Sequence, residues 1–184
     1  MILIFSAPSG SGKSTLVQHL LETRQDIELS ISATTRAPRG QEQDGREYYF
    51  ISQERFEQLI NEDAFVEWQQ VYKGTYYGTL RSEIERIENA GHHVVFDIDV
   101  KGGINIKRMF GEKAKSIFIA PPSIDALRER LTKRGTDSPE KIEERLAKAE
   151  TELADAPLFD TILVNDDLSE AKKALDKEIE GFIN

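Results

Sequence analysis

The chain has 184 residues, no cysteine, and 33 acidic against 24 basic side chains, for a formal net charge of −9. That length suits one main domain with a core that needs no staples, and without thiols neither disulfides nor thiolate metal sites can form. The acidic balance argues against a general nucleic-acid binder, and no apolar run is long enough to span a membrane.

The chain opens on MILIF, a short apolar run that reads as a buried parallel strand rather than a secretory leader, since it lacks a basic start and a cleavage site. A soluble cytoplasmic protein is expected. KSTLVQHLLET then places Leu16, Leu20 and Leu21 on one helical face. ELSIS is a second strand candidate, and a polar stretch with two Pro/Gly breaks leads to a short aromatic strand ending in YYFIS. QERFEQLIN reads as a helix with Phe56, Leu59 and Ile60 inward. AFVEWQQVY reads as a strand, and the Tyr/Gly stretch after it as a loop.

LRSEIERIENAG is a helix with the stripe Leu80, Ile84 and Ile87, stopped near Gly91. HHVVFDID is a core strand ending in two acids, and KSIFIAPPS a strand stopped by prolines. IDALRERLTKRG is a helix ending at Gly135, and the next helix has Ser138 as N-cap and Pro139 at its first position. FDTILVND is the last core strand, and a final helix carries Leu168, Ala171, Leu175 and Ile179. Strands alternating with helices give an α/β class with a mainly parallel sheet. The stretch from about 33 to 90 breaks that alternation and reads as an inserted lobe covering the binding edge.

Residues 5 to 15, FSAPSGSGKST, nearly match the phosphate-loop pattern G-x-x-x-x-G-K-[ST], with Ala7 where the first glycine is usual. Pro8 follows Ala7, and a residue before proline is held extended at negative φ, which alanine adopts freely. Gly10 and Gly12 remain where the curl is tight. The backbone from Ser9 through Gly10, Ser11, Gly12, Lys13 and Ser14 to Thr15 would then cradle phosphates at a helix N-terminus. Lys13 would reach the terminal phosphates and the Ser14 hydroxyl would meet magnesium.

Arg36 and Arg39 offer planar forks that match phosphate oxygens. Tyr48, Tyr49, Tyr76 and Tyr77 come as two adjacent pairs, so one of each pair can face a cleft. Glu67 lies between Val66 and Trp68 in an apolar strand. It either faces outward or reads a base: one carboxylate can accept both the N1–H and the exocyclic amine of guanine, whereas adenine presents an acceptor at N1. Asp97 and Asp99 end a hydrophobic strand, where ligands of open α/β sheets sit. Two residues apart on a strand, both could face the site, and an acid there can hold the water shell of magnesium.

The segments SAPSGSGKST, SISATTRAPR, GREYYF, FVEW, YYGT, DIDVKGG, IFIAPPS, RLTKRGTDS and ILVNDD stand in the order found in guanylate kinases, so nearly the whole chain resembles that family. The resemblance implies a P-loop kinase core (1–32, 91–125 and 155–184), a mixed α/β GMP-binding lobe (about 33–90) and a helical lid (about 126–154). It implies phosphorylation of GMP by ATP with Mg2+, and no nucleic-acid or membrane partner. By matching motif, Ser32, Glu67 and Thr79 look like guanine contacts, and Arg36, Arg39, Tyr48 and Tyr77 like clamps on the GMP phosphate. Asp97 and Asp99 look like groups that reach guanine or magnesium waters, with their roles undivided. Arg134 and Arg145 look like lid arginines, catalytic together with Lys13 and Arg36; Arg130 and Asn165 fall on the ATP side.

The chain departs from the family pattern at Ala7, at Lys101 where glutamine is more usual, and in VYKGTYYGT, one residue longer than the common spacing. That extra residue leaves Tyr76 and Tyr77 both open as phosphate ligand. Lys101 is either an exposed lysine at a helix start or an added cation near the phosphates. Two rival readings are a P-loop kinase for another nucleoside monophosphate and a non-catalytic guanylate-kinase-like binding module. An intact Lys13 and Ser14 speak against the second.

Overall fold

The computed structural model describes residues 1–183, with Tyr72 described by its backbone alone. Strand β1 (Ile2–Ser6) is buried at every position. After the glycine-serine loop, helix α1 (Lys13–Thr23) buries Leu16, Val17 and Leu20. Val17 thus completes the stripe, and Leu21 packs half-buried at its edge. Strand β2 (Ile27–Leu29) is shorter than ELSIS suggested. Next come β3 (Ala33–Thr34), β4 (Tyr49–Phe50) and α2 (Gln53–Asn61). The hydroxyl of Ser52 caps α2 by accepting the Arg55 N–H at 3.1 Å.

Strands β5 (Phe65–Tyr72) and β6 (Thr75–Leu80) form a hairpin. The Tyr/Gly stretch is therefore a strand, not a loop. Gly78 misled the reading, because glycine is depleted in strands. Here it is required: a Cβ at Gly78 would stand 2.8 Å from the Trp68 Cβ and 2.9 Å from the Glu67 carbonyl oxygen. Helix α3 (Arg81–Asn89) leads to β7 (His93–Asp97) and then to α4 (Val100–Phe110). The reading by periodicity passed over α4 except for its first lysine. Strand β8 (Ala114–Ala120), α5 (Ile124–Arg134), α6 (Pro139–Ala154), β9 (Thr161–Val164) and α7 (Leu168–Ile183) complete the chain. Ser138 caps α6 as expected, accepting the Lys141 N–H at 3.3 Å. Leu168 does not join the α7 stripe. It is 40% exposed, because the packed cluster reaches only to Ala171.

One sheet has the order β2-β7-β1-β8-β9, with β1, β8 and β9 paired in parallel. Alternation along β8 sends Ile117 and Ile119 to one face, with Leu16, Leu20 and Leu175, and Phe118 and Ala120 to the other, with Val100 and Phe159. The fold is thus the α/β class with a mainly parallel sheet flanked by helices. The second sheet has the order β4-β3-β6-β5 and mixes parallel and antiparallel pairs.

The chain divides into two compact units. One comprises Met1–Ile27 and the chain from Val95 onward; the other is Glu28–Val94. In the first, α5 and α6 share a cluster of their own, with Leu127, Leu131, Ile142 and Leu146. In the second, Phe56 and Phe65 stack at 4.4 Å at the centre of a cluster bounded by Tyr76 and Leu80.

Replacing Gly78 with alanine is expected to lower unfolding free energy by about 1–3 kcal/mol, the usual cost of overpacking. Trp68, the only tryptophan, is the fluorescence probe for that denaturation curve.

Candidate active site

The turn from β1 into α1 makes the first cluster. Gly12 lies at φ 90° and hands the chain to Lys13, the first residue of α1. Below it, the Asn165 side-chain amide donates to the Ser11 carbonyl at 2.8 Å. Asn165 is 5% exposed and is itself fixed by β8, its N–H donating to the Ala120 carbonyl at 2.8 Å. A Cβ at Gly12 would stand 2.2 Å from the Asn165 Nδ2, so the approach admits glycine alone. Ala7 lies in the loop wall without strain; positive φ falls on Gly10 and Gly12, as the pre-proline argument required.

Above the loop opens a cavity of about 640 Å³, within the range of about 300–1,000 Å³ usual for small-molecule sites. Lys13, Arg130, Arg134, Arg145 and Lys148 face it, against the acids Asp97, Asp99 and Glu152. Ser9, Gly10, Gly12, Ser14 and Thr15 line its floor, while the Ser11 side chain is fully buried away from it. Lys13 pairs with Asp97, and its ammonium also lies 3.5 Å from the Ile98 carbonyl. Arg145 donates to the Ser9 hydroxyl at 2.6 Å and to Asp137 at 3.1 Å. Arg130 donates to the Asn165 carbonyl at 2.8 Å.

The two acids reach this cavity by different routes. Asp97 is the last residue of β7. Asp99 has left the strand and caps α4, accepting the Gly102 N–H at 2.7 Å. Strand alternation therefore does not describe the pair. Lys101 is exposed and stands outside the cavity, the helix-start alternative. Periodicity gave no sign of Lys148 and Glu152. Burial raises the Glu152 carboxyl above the usual range, against the pull of Lys148 at 3.3 Å.

The second cluster is built on the hairpin. Glu67 lies opposite Thr79, whose hydroxyl donates to it at 3.1 Å. A register shift between Phe65 and Glu67 lets Phe65 and Val66 both go inside, 4% and 6% exposed, so simple alternation fails there. A second shift, between Gln70 and Tyr72, lies on the turn side of the strand pairs that hold Glu67, Thr79 and Tyr77.

Each tyrosine pair splits. Arg36 donates through Nε to the Tyr77 hydroxyl at 3.0 Å, and its guanidinium carbon lies 4.9 Å from the Tyr48 ring centre. Tyr48 meets Tyr77 edge-on at 5.7 Å, and burial raises its hydroxyl above the usual range. Tyr76 instead stacks on Phe56 at 5.2 Å, and Tyr49 donates to Glu83 at 2.9 Å. Tyr77, not Tyr76, stands with the arginine.

Arg39 has an exposed side chain and joins the cluster through its N–H alone, which Glu42 accepts at 2.8 Å. Ser32 is half-buried, its carbonyl accepting the Tyr49 N–H at 2.9 Å.

Glu83, which sequence reading placed on no site, is 3% exposed. It accepts the Ile31 N–H at 3.1 Å, the Tyr49 hydroxyl at 2.9 Å and two Arg86 donors at 3.0 and 3.1 Å. Burial pushes its carboxyl up, but these donors outweigh it and the net direction is down. One buried carboxylate thus holds the backbone at Ile31, beside Ser32, and the side chain of Tyr49, beside Tyr48. The only sequence signal for it was a charge on the inward side of α3, next to Ile84.

A strand, a glycine-serine turn and a helix that starts on a lysine, set in a parallel sheet, define a P-loop nucleotide-binding protein. Comparison with known proteins narrows this. The family model "Guanylate kinase" matches residues 1–181. Proteins named guanylate kinase from Bacteroides fragilis and Porphyromonas gingivalis are each 53% identical to the chain, covering 99% of it and 89% and 97% of their own lengths. A crystal structure of guanylate kinase from Anaplasma phagocytophilum superimposes with a TM-score of 0.72 at 30% identity, covering 98% of this chain and 85% of that one. The chain belongs to the guanylate kinase family.

Removing the Asn165 amide as Asn165→Ala leaves the Ser11 carbonyl unpartnered, and should cost about 1–3 kcal/mol of stability. Hydrogen exchange should speed up across residues 8–14 and stay unchanged in α2.

Proposed function

We propose that this chain transfers the γ-phosphoryl group of ATP to GMP, giving ADP and GDP. The bond from γ-phosphorus to the β,γ-bridging oxygen breaks, and one forms to a phosphate oxygen of GMP. The family carries the reaction, and the observation that carries the choice of acceptor is Glu67 with Thr79 on the β5–β6 hairpin. The carboxylate accepts from the two adjacent donors of guanine; an adenine would leave it facing a lone pair.

On the donor side, the loop amides and Lys13 hold the phosphates of ATP, Ser9 and Thr15 flank them, and Arg130 lies toward the nucleoside; Asn165, expected there, is buried beneath the loop and serves ATP by holding the loop's shape. Lys13 exchanges its Asp97 partner for phosphate oxygens. Arg134 and Arg145, on the α5–α6 arm, spread the charge of the migrating group, and the arm works as a lid that keeps water out. On the acceptor side, Arg36, Arg39, Tyr48 and Tyr77 grip the GMP phosphate, and Ser32 borders the guanine. That phosphate oxygen is already anionic, so no general base is needed.

Magnesium fits the groups at hand. Among the described residues no three acidic or histidine side chains converge as a cage. Mg2+ keeps most of its waters and asks for one or two protein oxygens besides the phosphates, which the Ser14 hydroxyl and Asp97, through water, would supply. Bound there, it would supply charge neutralisation for the phosphates of ATP. No helix among the described residues is long and apolar enough to cross a membrane.

The test is ADP release from ATP and magnesium with GMP, AMP, CMP, UMP or dTMP offered singly. GMP alone should support turnover; release with another monophosphate overturns the Glu67 assignment. Glu67→Gln should raise the GMP KM at least about tenfold and leave the ATP KM in place. Lys13→Ala should lower kcat by about 100-fold or more, and near-normal turnover would remove Lys13 from the role given to it.

A further inference from the structure

The Arg36 guanidinium has five N–H donors, and four are already placed. Nε donates to the Tyr77 hydroxyl at 3.0 Å and Nη1 to the Ala37 carbonyl at 2.9 Å. A second Nη1 hydrogen and one on Nη2 go to the two oxygens of Glu42, at 2.6 and 2.8 Å. None of these four bonds uses the second Nη2 hydrogen, and the Tyr48 hydroxyl is the remaining neighbour of the guanidinium.

Because the guanidinium is planar, the position of that hydrogen follows. The two-point bond to Glu42 uses the inner hydrogens of Nη1 and Nη2, and Ala37 takes the outer hydrogen of Nη1. The hydrogen left over therefore lies on the Nε side, the edge that carries the Tyr77 hydroxyl. Tyr77 accepts from Nε and keeps its own proton to give. Two donors thus point out from one edge of the pair, and Glu42 fills the other. Tyr48 and Phe50, at 4.9 and 5.7 Å from the guanidinium carbon, restrict its faces.

We infer that Glu42 is a positioning residue for the acceptor's phosphate: it locks the far edge of Arg36 so that the near edge, with Tyr77, presents two donors to the anion. The inference rests on the reading of this cluster as the acceptor-phosphate site. No motif in the sequence marks Glu42. Glu42 also accepts the Arg39 N–H at 2.8 Å, so one carboxylate sets both the arginine and the loop after it. Arg36 and the Arg39 N–H pull the Glu42 carboxyl down to about 2, so the lock stays charged at neutral pH. It also means that Arg36 cannot offer its two-pronged end to a phosphate while Glu42 is in place. The share of the Arg36–Tyr77 pair in that recognition runs through one arginine hydrogen and the Tyr77 hydroxyl together, beside Arg39 and Tyr48.

The test compares the wild type with Glu42→Gln, measuring binding of GMP and of guanosine, which lacks the phosphate, alongside steady-state kinetics. Glutamine offers one acceptor oxygen and turns an N–H2 toward Arg36, so the lock is lost with little change in volume. The expected result is a rise of about tenfold or more in the Kd and KM for GMP, with guanosine affinity and the ATP KM unchanged. Tyr77→Phe should weaken GMP similarly, and the double variant should lose less than the sum of the two, as residues sharing one network do.

Unchanged GMP affinity in Glu42→Gln overturns the inference, and so does an equal loss for guanosine, which would mark a general loss of structure. Tighter GMP binding also overturns it, showing Glu42 to be a competitor for the anion. If the wild type turns over a different monophosphate, the guanine reading fails, and the same comparison is made on that monophosphate and its nucleoside.

Discussion

The phosphate loop depends on one buried hydrogen bond, from the Asn165 amide to the Ser11 carbonyl. A loop of small residues has few side-chain contacts to hold its shape, so its curl must be fixed from beneath. Asn165 follows directly on β9 and is tied to the end of β8, so the loop is referred to the parallel sheet rather than to its own flanks. Gly12 permits that approach. Arg130 bonds to the carbonyl of the same asparagine, so a cavity arginine is set from the same point as the cavity floor. The cluster under the sheet, with Leu16 of α1 and Leu175 of α7, keeps the two supports rigid.

An acidic protein that handles polyanions has to concentrate its cations. The net charge is −9, yet five of the cavity's side chains are cationic, Lys13, Arg130, Arg134, Arg145 and Lys148. Several are held by acids: Lys13 by Asp97, Arg145 by Asp137 and, in the other unit, Arg36 by Glu42. Such pairing avoids an uncompensated cluster of like charges before ligand arrives, and it orients each donor. The acids near the site are therefore part of the anion-handling apparatus.

The core of the fold was legible because its strands are apolar runs and its helices repeat apolar residues at helical spacing. MILIF, the 114–120 strand and the cap Ser138 follow from local chemistry. What was not legible had specific causes. Helix α4 carries Gly102 and Gly103 near its start, and glycine weakens the helical signal; a Cβ at Gly103 would stand 2.5 Å from the Ser6 hydroxyl oxygen, so packing against β1 dictates the residue. The β6 strand was hidden by Gly78 in the same way. Leu168 fits the periodicity of α7 but lies beyond the packed cluster, a limit no pattern reveals.

The loop lysine, the arginines and Glu67 could be singled out in the sequence as candidates because their chemistry is specific. Glu42 and Glu83 were not, since a glutamate in a polar loop or on a helix looks like solvated surface. Only the fold shows that one completes a guanidinium and the other gathers four donors.

The second register shift of the β5–β6 hairpin leaves one residue of β5 without an opposite number. Pairing runs without interruption from Glu67 opposite Thr79 to Gln70 opposite Tyr76, then slips by one before Tyr72 meets Thr75. The unopposed residue is exposed Val71, on the turn side of the ribbon. The ribbon thus behaves as a ruler read from its buried end: positions are counted from Phe65 and Leu80, and errors in the count accumulate toward the tip. An insertion or a fused segment placed between Val71 and Thr75 would leave every graduation below it where it was.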